Sequence, residues 1–265
     1  MEARLYRRLV AIQLRGQMRY RTSFAVQVIG NFGIHLVELA GILILFQRFN
    51  TLGGWRVGEI AFLYGLSAIS LNLANGIAAG CADFDEQVRH GAFDRVLTRP
   101  IGTFTQVLAS DIQLRRLGGL LQGVLAFVIA LRLIDVPWTA GRVLYLPVVI
   151  VSATVIFMAL FALEAVLCFW TTEGTEMINA FTYGGGELAS YPIHVFDRWL
   201  RRLFLFVIPL GFVIYAPALY LLDKPDPLGL PDWTRFVAPL AAAAFALATA
   251  AIWRLGVRHY RSTGS

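Results

Sequence analysis

Apolar runs about as long as a hydrocarbon core is thick recur along this chain, and they decide the solvent in which it folds. They fall at about 23–46, 59–80, 117–134, 143–170 and 236–256, with one more at 203–222, LFLFVIPLGFVIYAPALYLL. Roughly 20 residues of helix cross a bilayer, so the pattern predicts an all-α membrane protein with six crossings, not a soluble domain on one anchor. Composition agrees: 57% of the 265 residues are apolar and 15% charged, against about 45–50% and about 25% in soluble domains. We read 1–265 as a single transmembrane domain.

The opening segment, MEARLYRRLVAIQLRGQMRYR, is arginine-rich and offers no short apolar core before a cleavage site. It is therefore not expected to be a signal peptide, and the N-terminus is expected to stay in the cytoplasm. On a helix, Arg4, Arg7, Arg8, Arg15 and Arg19 share an arc of about 120°, with Leu5, Leu9 and Ile12 beside it. This predicts an interfacial amphipathic helix over 1–22, arginines toward anionic headgroups; a solvated basic tail is the plainer alternative. The net charge of +6 is explained by arginines at span ends, so nucleic acid is not expected as a partner. Cys81 and Cys168 lie far apart in or beside apolar runs and read as small buried residues.

GGW at 53–55 marks the first external turn, and Pro137 with Trp138 a second at the interface. Between Thr171 and Arg235 two topologies remain. Hydropathy makes 203–222 the fifth span and leaves the segment before it as a cytoplasmic loop. The rival places a short polar helix at about 174–191 and turns 192–222 into a hairpin re-entering from the outer face. Positive charge favours the first, because the second moves Arg198, Arg201 and Arg202 outside. Either way both termini are cytoplasmic.

A P-loop needs a glycine-rich loop ending in Lys-Ser or Lys-Thr. The sole lysine, Lys224, lies in LLDKPDP, so no P-loop is present. His35, His90, His194 and His259 are scattered singly, without metal-ligand spacing or a hydrolase pattern. What stands out is a polar stripe on the first span: Gln27, Asn31, His35 and Glu38 share an arc of about 80°. A carboxylate at that depth costs a few kcal/mol unless it faces protein or water. The stripe is thus a candidate path lining, or a hydrogen-bonded helix contact with Glu38 protonated or paired to His35. Asn72 and Asn75 on the second span carry the same two readings, helix glue foremost. Glu164 is expected to reach the interface from the inner end of the fourth span. From Asp83 to Pro100, DFDEQVRHGAFDRVLTRP follows the second span. A short amphipathic helix there would present Phe84, Val88, Phe93 and Leu97 beside charged neighbours, either to dock another protein or as a connector on the membrane surface.

Three segments carry a family likeness. The first holds Gly91, Phe93, Asp94, Arg95, Leu97, Arg99 and Pro100; the second is ELASYPIHVFDRWLRRLFLFVIPLGFVIYAP, with Tyr191, Pro192, Trp199, Pro209 and Pro217. The third is the ending WRLGVRHYRSTGS, with Trp253, Gly256, Tyr260, Arg261, Ser262 and Gly264. In order and spacing they resemble the permease subunit of type-2 ABC exporters, over nearly the whole chain. The resemblance implies a six-span half-transporter of the bacterial inner membrane with an N-terminal elbow helix. It implies a second permease, identical or paralogous, and two ATPase subunits that bind the ATP and magnesium, this chain holding no cofactor. Residues 83–100 become the coupling helix, Phe84 included, and 192–222 the re-entrant outer gate, with Tyr191, Pro192, Pro209 and Pro217 in it. The path would run between the permeases past Gln27, Asn31, His35, Glu38, Asn72 and Asn75. A drug, natural product or lipid is the substrate expected by family habit. A proton-coupled secondary transporter using Glu38 and Glu164 is the alternative class, and a non-transporting scaffold a third.

Overall fold

The computed structural model describes residues 15–19, 21–48, 51–82, 84–100, 102–111, 113–136, 138–171 and 174–260. Residues 1–14 and Tyr20 of the expected elbow helix, Asp83 of the coupling segment, Pro137 of the expected interfacial turn, and Arg261, Ser262 and Gly264 of the closing motif lie outside that set. Among the described residues six helices frame the fold: α1 (Arg21–Arg48), α2 (Val57–Ile77), α3 (Leu117–Leu133), α4 (Ala140–Leu167), α5 (Gly174–Ala189) and α6 (Ala238–His259). Five are long and apolar enough to cross a membrane; α5, with 16 residues, is the exception. Among the described residues there is no strand, only an isolated Leu52–Trp55 bridge.

Local chemistry sets the helix starts. Glu59 accepts from the Arg56 backbone N–H at 2.7 Å at the head of α2, and Thr139 accepts from Arg142 N at the head of α4. Both satisfy orphan groups of a first turn.

The helix α2 is the hub, with 72% of its span buried against 6% for α1. It packs mainly on α3 and α4, while α1 lies on α3, α6 on α4, and α5 on α4 and α2. The α1–α3 crossing is close because Gly118 and Gly119 leave room: a Cβ at Gly118 would strike the backbone of Val28 and Phe32, and one at Gly119 would strike Asn72 and His35. Small residues at helix crossings are the usual device where lipid gives no hydrophobic drive for association. Outward on α1, Val26, Ile29 and Val37 are exposed, as helix surface facing acyl chains should be.

At one end of the bundle, here the terminal end, gather the C-terminal turns of α2, α4 and α6 and the short helices Phe84–Arg89, Phe93–Leu97 and Thr103–Leu108. At the opposite, hairpin end lies the passage 198–221. Its two halves, Arg198–Val207 and Gly211–Leu221, meet at 78° across Pro209. Wide π turns at Leu203–Val207 and Gly211–Tyr215 flank the break, and Pro209 and Pro217 withdraw backbone donors there. Both flanks of the passage are tied to the same end. Before it, His194 Nε2 donates to Gly53 O at 2.8 Å; after it, Asp223 pairs with Arg142 at 2.7 Å and Lys224 with Glu59 at 2.8 Å. Both flanks of the passage are thus held against the N-terminal ends of α2 and α4.

Candidate functional site

The stripe on α1 divides once its neighbours are in place. His35 Nδ1 lies 2.9 Å from Glu38 Oε2, and since a carboxylate only accepts, the histidine donates. The Tyr64 hydroxyl of α2 stands 3.3 Å from Glu38 Oε2, 3.3 Å from Gln122 Oε1 of α3 and 3.4 Å from the His35 carbonyl. One hydroxyl proton thus faces three acceptors on two other helices. Gln122 is fully buried, and no partner meets its Nε2 among the described residues. Glu187 of α5 is within electrostatic range of Glu38 and His35. The result is a polar centre in apolar surroundings, partly open through Glu38, whose side chain is 40% exposed.

The other stripe residues sit apart from it. Asn31 Oδ1 accepts from Gly119 N at 2.8 Å, satisfying one orphan donor in the first turn of α3. Gln27 donates to Ser23 Oγ and borders a polar recess with Asp111, Gln113 and Arg115. Asn72 is buried, returns its amide to Ala68 O and abuts Gly119; Asn75 donates to Tyr183 of α5 at 2.8 Å. Tyr64 and Gln122 were not singled out by the sequence, although each is a polar group inside an apolar run. Glu164, expected to reach the interface, is 4% exposed, with Cys81 and Asp85 within electrostatic range of it.

The coupling segment is two helices, not one. Gly91, at φ +65°, breaks it: Gly91 N donates to Val88 O and Ala92 N to Gln87 O, which closes Phe84–Arg89 with a Schellman turn. The break turns Phe84 and Phe93 inward, and both are fully buried. The expectation that they form an exposed docking face is corrected. Their rings meet edge-on at 5.2 Å and pack with Phe169 after α4 and with Trp253 and Tyr260 at the end of α6. Trp253 Nε1 donates to Thr103 Oγ1, and Gln106 Nε2 to Val96 O, so the whole segment is stapled to α6. Tyr260 faces Asp94, and burial together with that carboxylate pushes its pKa up. Among the described residues of the segment, the exposed ones are His90, Arg95, Leu97, Thr98, Arg99 and Pro100.

Cys81 lies beneath this cluster, 1% exposed, and burial, with the Glu164 carboxyl beside it, pushes its thiol up to about 12. Only thiolate attacks a maleimide. Native protein at neutral pH is therefore expected to leave Cys81 unlabelled while unfolded protein labels fully, as counted by intact mass; labelling of the native thiol at the unfolded rate would contradict that burial.

At the hairpin end Tyr191 borders a narrow apolar cleft with Leu188, Phe196, Phe204 and Tyr215. Pro192, buried, leads into the turn Ile193–Val195; Pro209 is buried at the bend, and Pro217 opens Ala216–Leu221. Trp55 is the keystone, its ring 5.8 Å from that of Tyr215 and 5.1 Å below Lys224 Nζ.

These features define an α-helical polytopic membrane protein with a rigidly seated appendage at one end. The family model described as ABC-2 family transporter protein matches residues 32–264, and the chain belongs to that family. In such a transporter this chain is the membrane permease, the ATPase being a separate subunit. No curated protein and no solved structure matches the chain.

Proposed function

We propose that the chain is one permease half of an ATP-driven exporter. Two such halves, identical or paralogous, meet in the bilayer of the bacterial inner membrane. Two ATPase subunits, which bind ATP and magnesium, dock on the terminal end, making that end and both termini cytoplasmic. The observation that carries this reading is the exposed tip 95–100 held on a buried aromatic cluster that joins it to α4 and α6. Closure of the ATPases around ATP pushes on the tip. Phe84, Phe93, Phe169 and Trp253 pass the push to two long helices, and the halves rock between inward and outward openings. The path runs past His35, Glu38 and Asn72, and its substrate is a drug, natural product or lipid. The passage 192–222 re-enters from the outer face and closes the path there; its shared end and its bend support this placement.

The His35–Glu38–Tyr64 centre also favours a second reading, a proton-coupled carrier that uses Glu38. Affinity purification of the tagged chain in mild detergent, followed by mass spectrometry, separates the two. A P-loop ATPase is expected to co-purify, with or without a second permease. Leu97→Asp with Arg99→Glu is expected to cut ATPase recovery by about tenfold, a loss of ~1.4 kcal/mol. A chain that stays free of any ATPase in several detergents, and moves substrate under a proton gradient alone, overturns the exporter reading.

A further inference from the structure

Where α2 ends and α3 begins, at the terminal end, lies an open-sided groove of about 170 Å³. Leu73, Leu114 and Leu120 wall it, and Ile77 and Leu117, both exposed, form its rim toward the acyl chains. Arg116 stands in the groove immediately before the first residue of α3, with its Nε buried and no acceptor on it among the described residues. A buried guanidinium N–H without an acceptor is costly, about 1–3 kcal/mol or more. The neighbouring polar side chains are turned toward one another. Arg115 donates twice to Gln113 Oε1, at 3.1 and 2.9 Å, and Gln113 Nε2 donates to Asp111 Oδ2 at 3.0 Å. A partner for Arg116 must therefore bring its own negative oxygen, and it must also carry apolar length to cover the leucines.

We propose that this groove holds an anionic phospholipid of the surrounding bilayer, one acyl chain along Leu73 and Leu120 and the phosphate paired with the Arg116 guanidinium. The position suits it: a helix start flanked by two arginines lies at headgroup depth, and basic pockets between helices select anionic lipids. Zwitterionic lipid offers the same chains but brings a cation toward Arg115 and Arg116.

Gly76 supplies a second handle. A Cβ there would meet only Arg116 Cβ and Gln113 O, each at 4.0 Å, so a leucine side chain can enter the groove without displacing backbone. The test is native mass spectrometry of the full chain in detergent, titrated with phosphatidylglycerol and phosphatidylcholine of identical acyl chains. Wild type is expected to hold the anionic lipid at several-fold higher occupancy, Arg116→Gln to bind the two equally, and Gly76→Leu to lose the saturable anionic adduct while melting like wild type. Equal occupancy by both lipids in wild type overturns the proposal. So does a preference that survives Arg116→Gln or Gly76→Leu, since the lipid would then sit on other arginines.

Discussion

Phe93→Ala is expected to lower the stability of the protein by about 3–5 kcal/mol, the range for removing a buried aromatic ring. Phe93 is fully buried and touches Phe84, Phe169 and Tyr260, so the cavity opens where four segments of the chain meet. Each lost edge-to-face pair adds about 0.5–1.5 kcal/mol beyond burial. Leu97→Asp acts one turn further along the same short helix, where the side chain is 43% exposed; its stability cost is expected within about 0.5 kcal/mol. Both variants are expected to lose the ATPase, for different reasons. A thermal melt in detergent, read by fluorescence-detected gel filtration, tells them apart. If Phe93→Ala melts with wild type and still loses the ATPase, the ring is itself a docking contact and its burial is not what matters.

Five long helices were legible because their apolar runs exceed what any alternative structure in lipid can use. The helix α5 ranks lower by hydropathy because GTEMINAFTYGGGELA mixes polar groups and glycines. Part of its polarity is met by protein: Asn75 donates to Tyr183, and Ser67 and Ser190 both donate to the Gly186 carbonyl. A helix covered by its neighbours need not be apolar all round, and a hydropathy window does not register the cover. The reverse holds for 203–222, apolar enough for a straight span yet bent at Pro209, with its flanks tied back to α2 and α4. Periodicity placed Phe84 and Phe93 on an apolar face but carries no information about whether that face meets a partner or the chain's own core. The polar stripe of α1 was visible for the same reason that Tyr64 and Gln122 were not: four polar residues repeat along one helix, whereas Tyr64 and Gln122 each stand alone and gain meaning only from contacts 26 and 58 residues away.

Lys224→Met is expected to destabilise the hairpin end by about 3 kcal/mol, the lower part of the range for removing one member of a buried pair. The Nζ lies 2.8 Å from both oxygens of Glu59 and 3.2 Å from Gly54 O, and over the Trp55 ring. The two side chains are 19% and 16% exposed, so water replaces little of what the methionine removes, and the Glu59 carboxylate keeps only the Arg56 N–H. If the penalty is that orphaned charge, Glu59→Met in the same molecule should restore most of the loss, because two apolar side chains leave nothing unpaired. Glu59→Met alone should cost as much as Lys224→Met, since the ammonium is then stranded. The double-mutant cycle is therefore expected to give a coupling energy of at least about 1.5 kcal/mol, little reduced by added salt, because a pair this enclosed is poorly screened. Lys224 follows the bent passage and Glu59 opens α2, so this coupling energy measures how firmly the passage is clamped to the hub helix. Additive melts, with each single variant near wild type, would mean that the pair dissolves in solvent and that Trp55, His194 and the Arg142–Asp223 pair hold the passage in place.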